Sequence, residues 1–168
     1  MSKTILAIDP GNVKSAYILL NGTEILESGY LDTEEMKDKI IEGWYDILAV
    51  EGIKSRGNKM GPTTVKTAEN AGVFYGIAYG RYLPTEIIYR DKINDNGIKS
   101  IRSYLCGVNN AKTSEVNTVV KKMFPGCWLT GKVRGVLWMD NSADHKLSAA
   151  AVALTYQGSE QYQKECMK

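Results

Sequence analysis

Apolar residues in this chain come in blocks of two kinds. Some are short and continuous, and others recur every three or four positions. The first block, Ile5–Ile8, is unbroken and is stopped by Asp9, Pro10 and Gly11. A short apolar run closed by turn residues reads as a buried strand, here Thr4–Asp9. Lys14–Leu20 reads as a second strand, Asn21-Gly22-Thr23 as a hairpin signal, and Glu24–Tyr30 as a third strand. These three make an antiparallel meander. The period then changes. Asp32 or Thr33 can cap a helix through about Glu42, with Glu34 and Glu35 in its first turn. Asp46–Glu51, "DILAVE", returns to the buried-strand pattern and again ends on an acid. Thr63–Tyr82 has helical spacing through Val65, Ala68, Ala71, Val73 and Ile77, with small residues that permit close packing. Thr85–Tyr89 follows Pro84 as a fifth strand. Helices are predicted at about Asp95–Leu105, at Thr113–Phe124 and at the alanine-rich Ala143–Tyr156.

This order predicts an α/β arrangement within one domain, 1–168, with strand 4 beside strand 1 and parallel to it. Parallel neighbours ending together bring Asp9 and Glu51 side by side at the carboxyl ends of their strands, where open α/β sheets place their sites. Asp before Pro-Gly is ordinary turn chemistry when met once. Two buried strands each ending on an acid are harder to explain as independent turns. Adjacent carboxylates repel unless one is protonated or a cation lies between them, and oxygen ligands favour Mg²⁺ or Mn²⁺.

Composition narrows the class. The chain is 43% hydrophobic and 24% charged, as in ordinary globular proteins. No apolar run approaches the roughly 20 residues of a membrane span, and "MSKTIL" lacks signal-peptide organisation. Cys106, Cys127 and Cys166 are odd in number and widely spaced, which implies free thiols in a reducing cytoplasm. A single histidine and no CxxC pair argue against a zinc finger. Net charge is only +2, but Lys54, Arg56 and Lys59 form a basic segment just after Glu51, and acids concentrate between Glu24 and Glu42. That asymmetry suits a polyanionic partner.

Four segments together resemble the RuvC-type Holliday junction resolvases, including viral members. They are "ILAIDPGNVKSAYILL", "DILAVEGIKSRGNKMGPTTVKTAENAGVFYGIAYG", "NNAKTSEVNTVVKKMF" and "SADHKLSAAAVALTY". They cover most of the chain in order. The resemblance implies an RNase H-like fold: a mixed five-stranded sheet, three strands antiparallel and then parallel strands, with helices on both faces. It further implies a metal-dependent endodeoxyribonuclease that resolves four-way or branched DNA, with two Mg²⁺ or Mn²⁺ ions per site, working as a homodimer on a two-fold junction. On that resemblance Asp9 and Glu51 are metal-binding carboxylates and Lys112 approaches the scissile phosphate.

The fourth segment departs from the family's pattern. His145 falls where the family has His or Asp, but Ser148 falls where Asp is usual. Asp144, four residues before Ser148 and on the same helical face, is the candidate replacement metal ligand, with Asp140 a more distant one. In a two-metal site, with ions about 3.5–4 Å apart, Asp9 would bridge, Glu51 would hold one ion and Asp144 the other. His145 could orient or deprotonate water. A helix-start histidine with no role would look the same in sequence. Lys54, Arg56, Lys59 and Lys112 would contact DNA phosphates, and Met60 could wedge against unstacked bases. The helix around Phe74, Tyr75 and Tyr79 could supply the dimer face. Two alternatives remain open at this point. One is a junction-binding protein that does not cleave, because its metal site is incomplete. The other is an actin-like nucleotide-binding protein, for which the chain has room for only one of the two lobes required.

Overall fold

The computed structural model describes residues 2–54, 60–126 and 143–168. Five strands form one sheet in the order β3-β2-β1-β4-β5. They are β1 (Thr4–Asp9), β2 (Lys14–Asn21), β3 (Glu24–Asp32), β4 (Ile47–Gly52) and β5 (Thr85–Tyr89). β1, β2 and β3 are antiparallel neighbours. β4 and β5 join parallel to β1. The meander, the parallel placement of strand 4 beside strand 1 and the mixed sheet are therefore as the sequence pattern implied.

Alternation along each strand sorts side chains onto two faces. Leu6, Ile8, Leu48 and Val50 face α1 (Thr33–Glu42) and α2 (Pro62–Gly80), meeting Met36, Ile40, Ala71, Phe74 and Ala78. Ile5, Ala7, Ile47, Ala49 and Ile88 face the other way, onto α5 (Ala143–Gln157), whose Leu147 and Ala149–Tyr156 are buried against them. α4 (Thr113–Met123) and α3 (Ile101–Cys106) complete this layer through Val116, Val120 and Ile101. Alanines let α5 lie close to the sheet. Phe74 is fully buried, so it belongs to the core and is not available to a dimer face, whereas Tyr79 is exposed.

The capping signal at Asp32 is real. Its Oδ1 accepts from the Glu35 N–H at 2.9 Å, and Glu35 Oε2 accepts from the Asp32 N–H at 2.9 Å. The helix expected over Asp95–Leu105 is shorter and begins only at Ile101, behind the N-cap Ser100. Asn94 explains the difference. Its Oδ1 accepts from the backbone of Asn96 and Ile98, and Gly97 has φ of +79°. Side-chain bonds of this kind compete with helix formation. α6 (Glu160–Met167), behind the N-cap Ser159, was not foreseen. No helix among the described residues is long and apolar enough to cross a membrane.

Candidate active site

Strand register assembles the site. Asp9 lies opposite Ala16, and Ala16 lies opposite Tyr30. Across the parallel pair Ile8 aligns with Val50, so Asp9 and Glu51 come next in line; Glu51 in turn aligns with Ile88. Aligned residues share a face. Tyr30, Asp9 and Glu51 thus form one row beneath α5, and Arg90 stands two residues beyond Ile88, just past β5.

The turn after Asp9 is rigidly built. The Gly11 N–H donates to the buried Ser15 Oγ at 3.1 Å, and Asn70 Nδ2, on α2, donates to the Gly11 carbonyl at 2.8 Å. A Cβ on Gly11 would fall 1.9 Å from the Lys14 carbonyl oxygen, so only glycine fits this close approach. The acid-Pro-Gly sequence is therefore turn chemistry, and it also fixes where Asp9 sits.

Asp9 is paired with His145: Oδ2 lies 2.9 Å from Nδ1. The imidazole stacks on Tyr30, with centroids 5.6 Å apart and planes inclined by 15°. The hydrogen bond to Asp9 holds the His145 pKa above its ordinary value, against partial burial, with help from the charges of Asp9, Asp144 and Glu51. The His145 side chain is 53% exposed, so its outer edge meets solvent.

Glu51 has a different environment. It is 6% exposed, and Arg90 grips both of its oxygens, Nε to Oε1 at 2.8 Å and Nη2 to Oε2 at 2.9 Å. Nη2 also donates to Ser148 Oγ at 3.2 Å. Burial raises the Glu51 pKa to about 6 despite the pull of Arg90 in the opposite direction; Asp9 adds to the rise. Burial disfavours the Arg90 charge, but the bonds to Glu51 outweigh it and keep the guanidinium ionised.

Asp144 is exposed and accepts from Asn117 Nδ2 of α4 at 3.2 Å. It takes no part in the hydrogen bonds linking Asp9, His145, Glu51, Arg90 and Ser148. Asp144 and His145 lie on opposite sides of the Ser148 position around the helix. His145's side meets β1 and β3, and Asp144's side meets α4. Lys112 is exposed at the start of α4, its N–H held by Glu115 Oε2 at 2.6 Å. Lys54 is exposed three residues past Glu51, and Met60 is partly buried. Arg56, Lys59, Asp140 and Cys127 lie outside the described residues.

No protein-family model matches the sequence. Curated proteins give no significant match either. Solved structures do. Thermus thermophilus RuvC superposes with a TM-score of 0.61 at 16% identity, over 97% of this chain and 96% of that one. The same protein in complex with Holliday junction substrate gives 0.60 at 17%, over 91% and 92%. The chain has the RNase H-like fold of RuvC. Agreement over nearly the full length of both chains means that the meander, the parallel strands and the α5 layer all take part in it.

The RuvC fold raises the question of a metal pair. Two divalent ions need several carboxylates. Here Glu51 has both oxygens committed to Arg90, Asp9 has one committed to His145, Ser148 is neutral and Asp144 is held by Asn117. Among the described residues no group of three or more His, Cys, Asp and Glu side chains could hold a metal ion. The donors as arranged do not fit a two-ion centre. Sequence reasoning missed Arg90, although it is a charge directly after the last residue of a third parallel strand, near the end where Asp9 and Glu51 stand on theirs. It also missed Tyr30 and Asn70, for which only strand register and packing give a signal.

Proposed function

We propose that this chain is a structure-selective endonuclease that hydrolyses phosphodiester bonds in branched DNA, four-way junctions foremost. One observation carries the reading: a carboxylate-oriented, half-exposed imidazole at the carboxyl ends of the central strands. With Nδ1–H donated to Asp9, His145 presents the lone pair of Nε2. That nitrogen takes a proton from water as the water oxygen attacks phosphorus. The P–O bond to the leaving sugar oxygen breaks, and the proton is returned to that oxygen. Lys112 and Lys54 face the phosphate's growing negative charge. Among the described residues, Asp9 is the carboxylate that would hold a divalent ion. Phosphate contacts from Lys54, Arg56, Lys59 and Lys112 supply most of the affinity. Two copies related by a two-fold axis match the symmetry of a four-way junction, with the exposed side of α2 as their meeting face. The Holliday junction seen on Thermus RuvC supports the choice of substrate.

A second reading, a junction-binding protein that does not cut, is favoured by one specific feature: Glu51 is bonded through both oxygens to Arg90, and neutral Ser148 stands on the guanidinium's other side. The test compares a labelled synthetic four-way junction with linear duplex, in Mg²⁺, in Mn²⁺ and in chelator. Nicking at the branch point that disappears in Asp9→Asn while binding persists supports the nuclease. Tight junction-selective binding without nicking establishes the second reading. Equal affinity for junction and duplex overturns both.

A further inference from the structure

A buried carboxylate next to another carboxylate stays ionised at neutral pH only beside a compensating cation. In this chain the cation is built in. Arg90 meets Glu51 through two near-parallel hydrogen bonds of 2.8 and 2.9 Å, the fork geometry that guanidinium offers and a metal ion does not. Its remaining reach is spent on Ser148 Oγ at 3.2 Å. The guanidinium therefore fills the gap between β4 and α5. Ser148 completes the fit, because it is small and neutral and can accept an N–H. Loss of a carboxylate at 148 and presence of a guanidinium at 90 are two halves of one arrangement. Without Arg90, a neutral residue at 148 would leave Glu51 buried with no cation beside it.

We infer that Arg90 is the resident cation of this site, standing between Glu51 and Ser148 in place of a second divalent ion. Among the described residues, the second oxygen of Asp9 is then the carboxylate donor left facing this end of the sheet, and the inference is that the site holds one divalent ion at most. The inference concerns the same site as the proposed nuclease, but it follows from the ion pair alone and its readout needs no DNA.

The test is a Mn²⁺ titration of the intact chain, followed by electron paramagnetic resonance of the free ion. Surface sites are subtracted with Asp9→Asn. The parent should bind no more than one ion at the site. Ser148→Asp alone should add none, because Arg90 still fills the gap and pairs with the new carboxylate. Ser148→Asp combined with Arg90→Met should add one, provided circular dichroism shows it folded. Two site ions in the parent overturn the inference, as does a gain from Ser148→Asp alone or no gain in a folded double variant. If the double variant does not fold, Ser148→Asp still decides: an unchanged stoichiometry supports the inference and an added ion refutes it.

Discussion

The two acid-ended strands lie side by side, yet their carboxylates have opposite fates. Glu51 is buried and locked to a guanidinium through both oxygens. Asp9 is partnered by an imidazole whose charge changes with pH and whose side chain is half exposed. The first pair closes the sheet against α5, and the second leaves one edge of its imidazole open to solvent. One step along a strand row therefore separates a group that holds the fold from a group that can do chemistry.

The sharpest way to break the comparison is to neutralise each half in turn. Asp9→Asn or His145→Ala should lower junction cleavage by about 10²- to 10⁴-fold, the usual worth of a general base. Unfolding free energy should move by no more than about 1 kcal/mol, because the pair is partly solvated. Truncation by Glu51→Ala should do the reverse to stability, costing more than about 1 kcal/mol in urea unfolding by taking both hydrogen-bond acceptors from Arg90, whose side chain is only 22% exposed. Adding Arg90→Met should recover most of that loss. Equal destabilisation by Asp9→Asn and Glu51→Ala would erase the distinction.

A subtler test uses pH. The chain has one histidine, so its imidazole gives a single set of NMR signals. In metal-free buffer His145 should titrate above its ordinary value and drop towards it in Asp9→Asn, because the hydrogen bond to Asp9 is the main cause of the rise. A raised folded pKa means that this stabilisation is full below the unfolded value and is lost as pH rises through the folded one. Glu51 acts in a lower window. Burial pushes its folded pKa up to about 6, above the ordinary glutamate range, so its contribution to stability grows as pH falls through 6 towards that range. Glu51→Gln should remove that lower slope and leave the upper one. The smallest effect belongs to DNA binding. Lys54→Ala should reduce the slope of log K against log salt by about 0.9 if Lys54 contacts one phosphate of duplex DNA.

The sequence was readable wherever a local rule acts alone. Acid-terminated apolar runs located both carboxylates, and the capping pattern located α1. The reading failed where a group's role depends on partners distant in the chain. Asp144 shares a helical face with Ser148, but which side of α5 meets the sheet and which meets α4 is decided by packing, so its bond to Asn117 was not legible in the sequence. Arg90 lies 39 residues from Glu51 in the chain, and only strand order brings them together. The false start of α3 came from Asn94, whose side chain captures backbone donors that helical spacing had assigned to a helix.

The most direct measurement of the division between the two halves is an anomalous difference map from crystals soaked in Mn²⁺. The account predicts at most one peak, beside Asp9 and His145, with Arg90 still bonded to Glu51. A peak between Glu51 and Ser148, with the guanidinium swung aside, would contradict it.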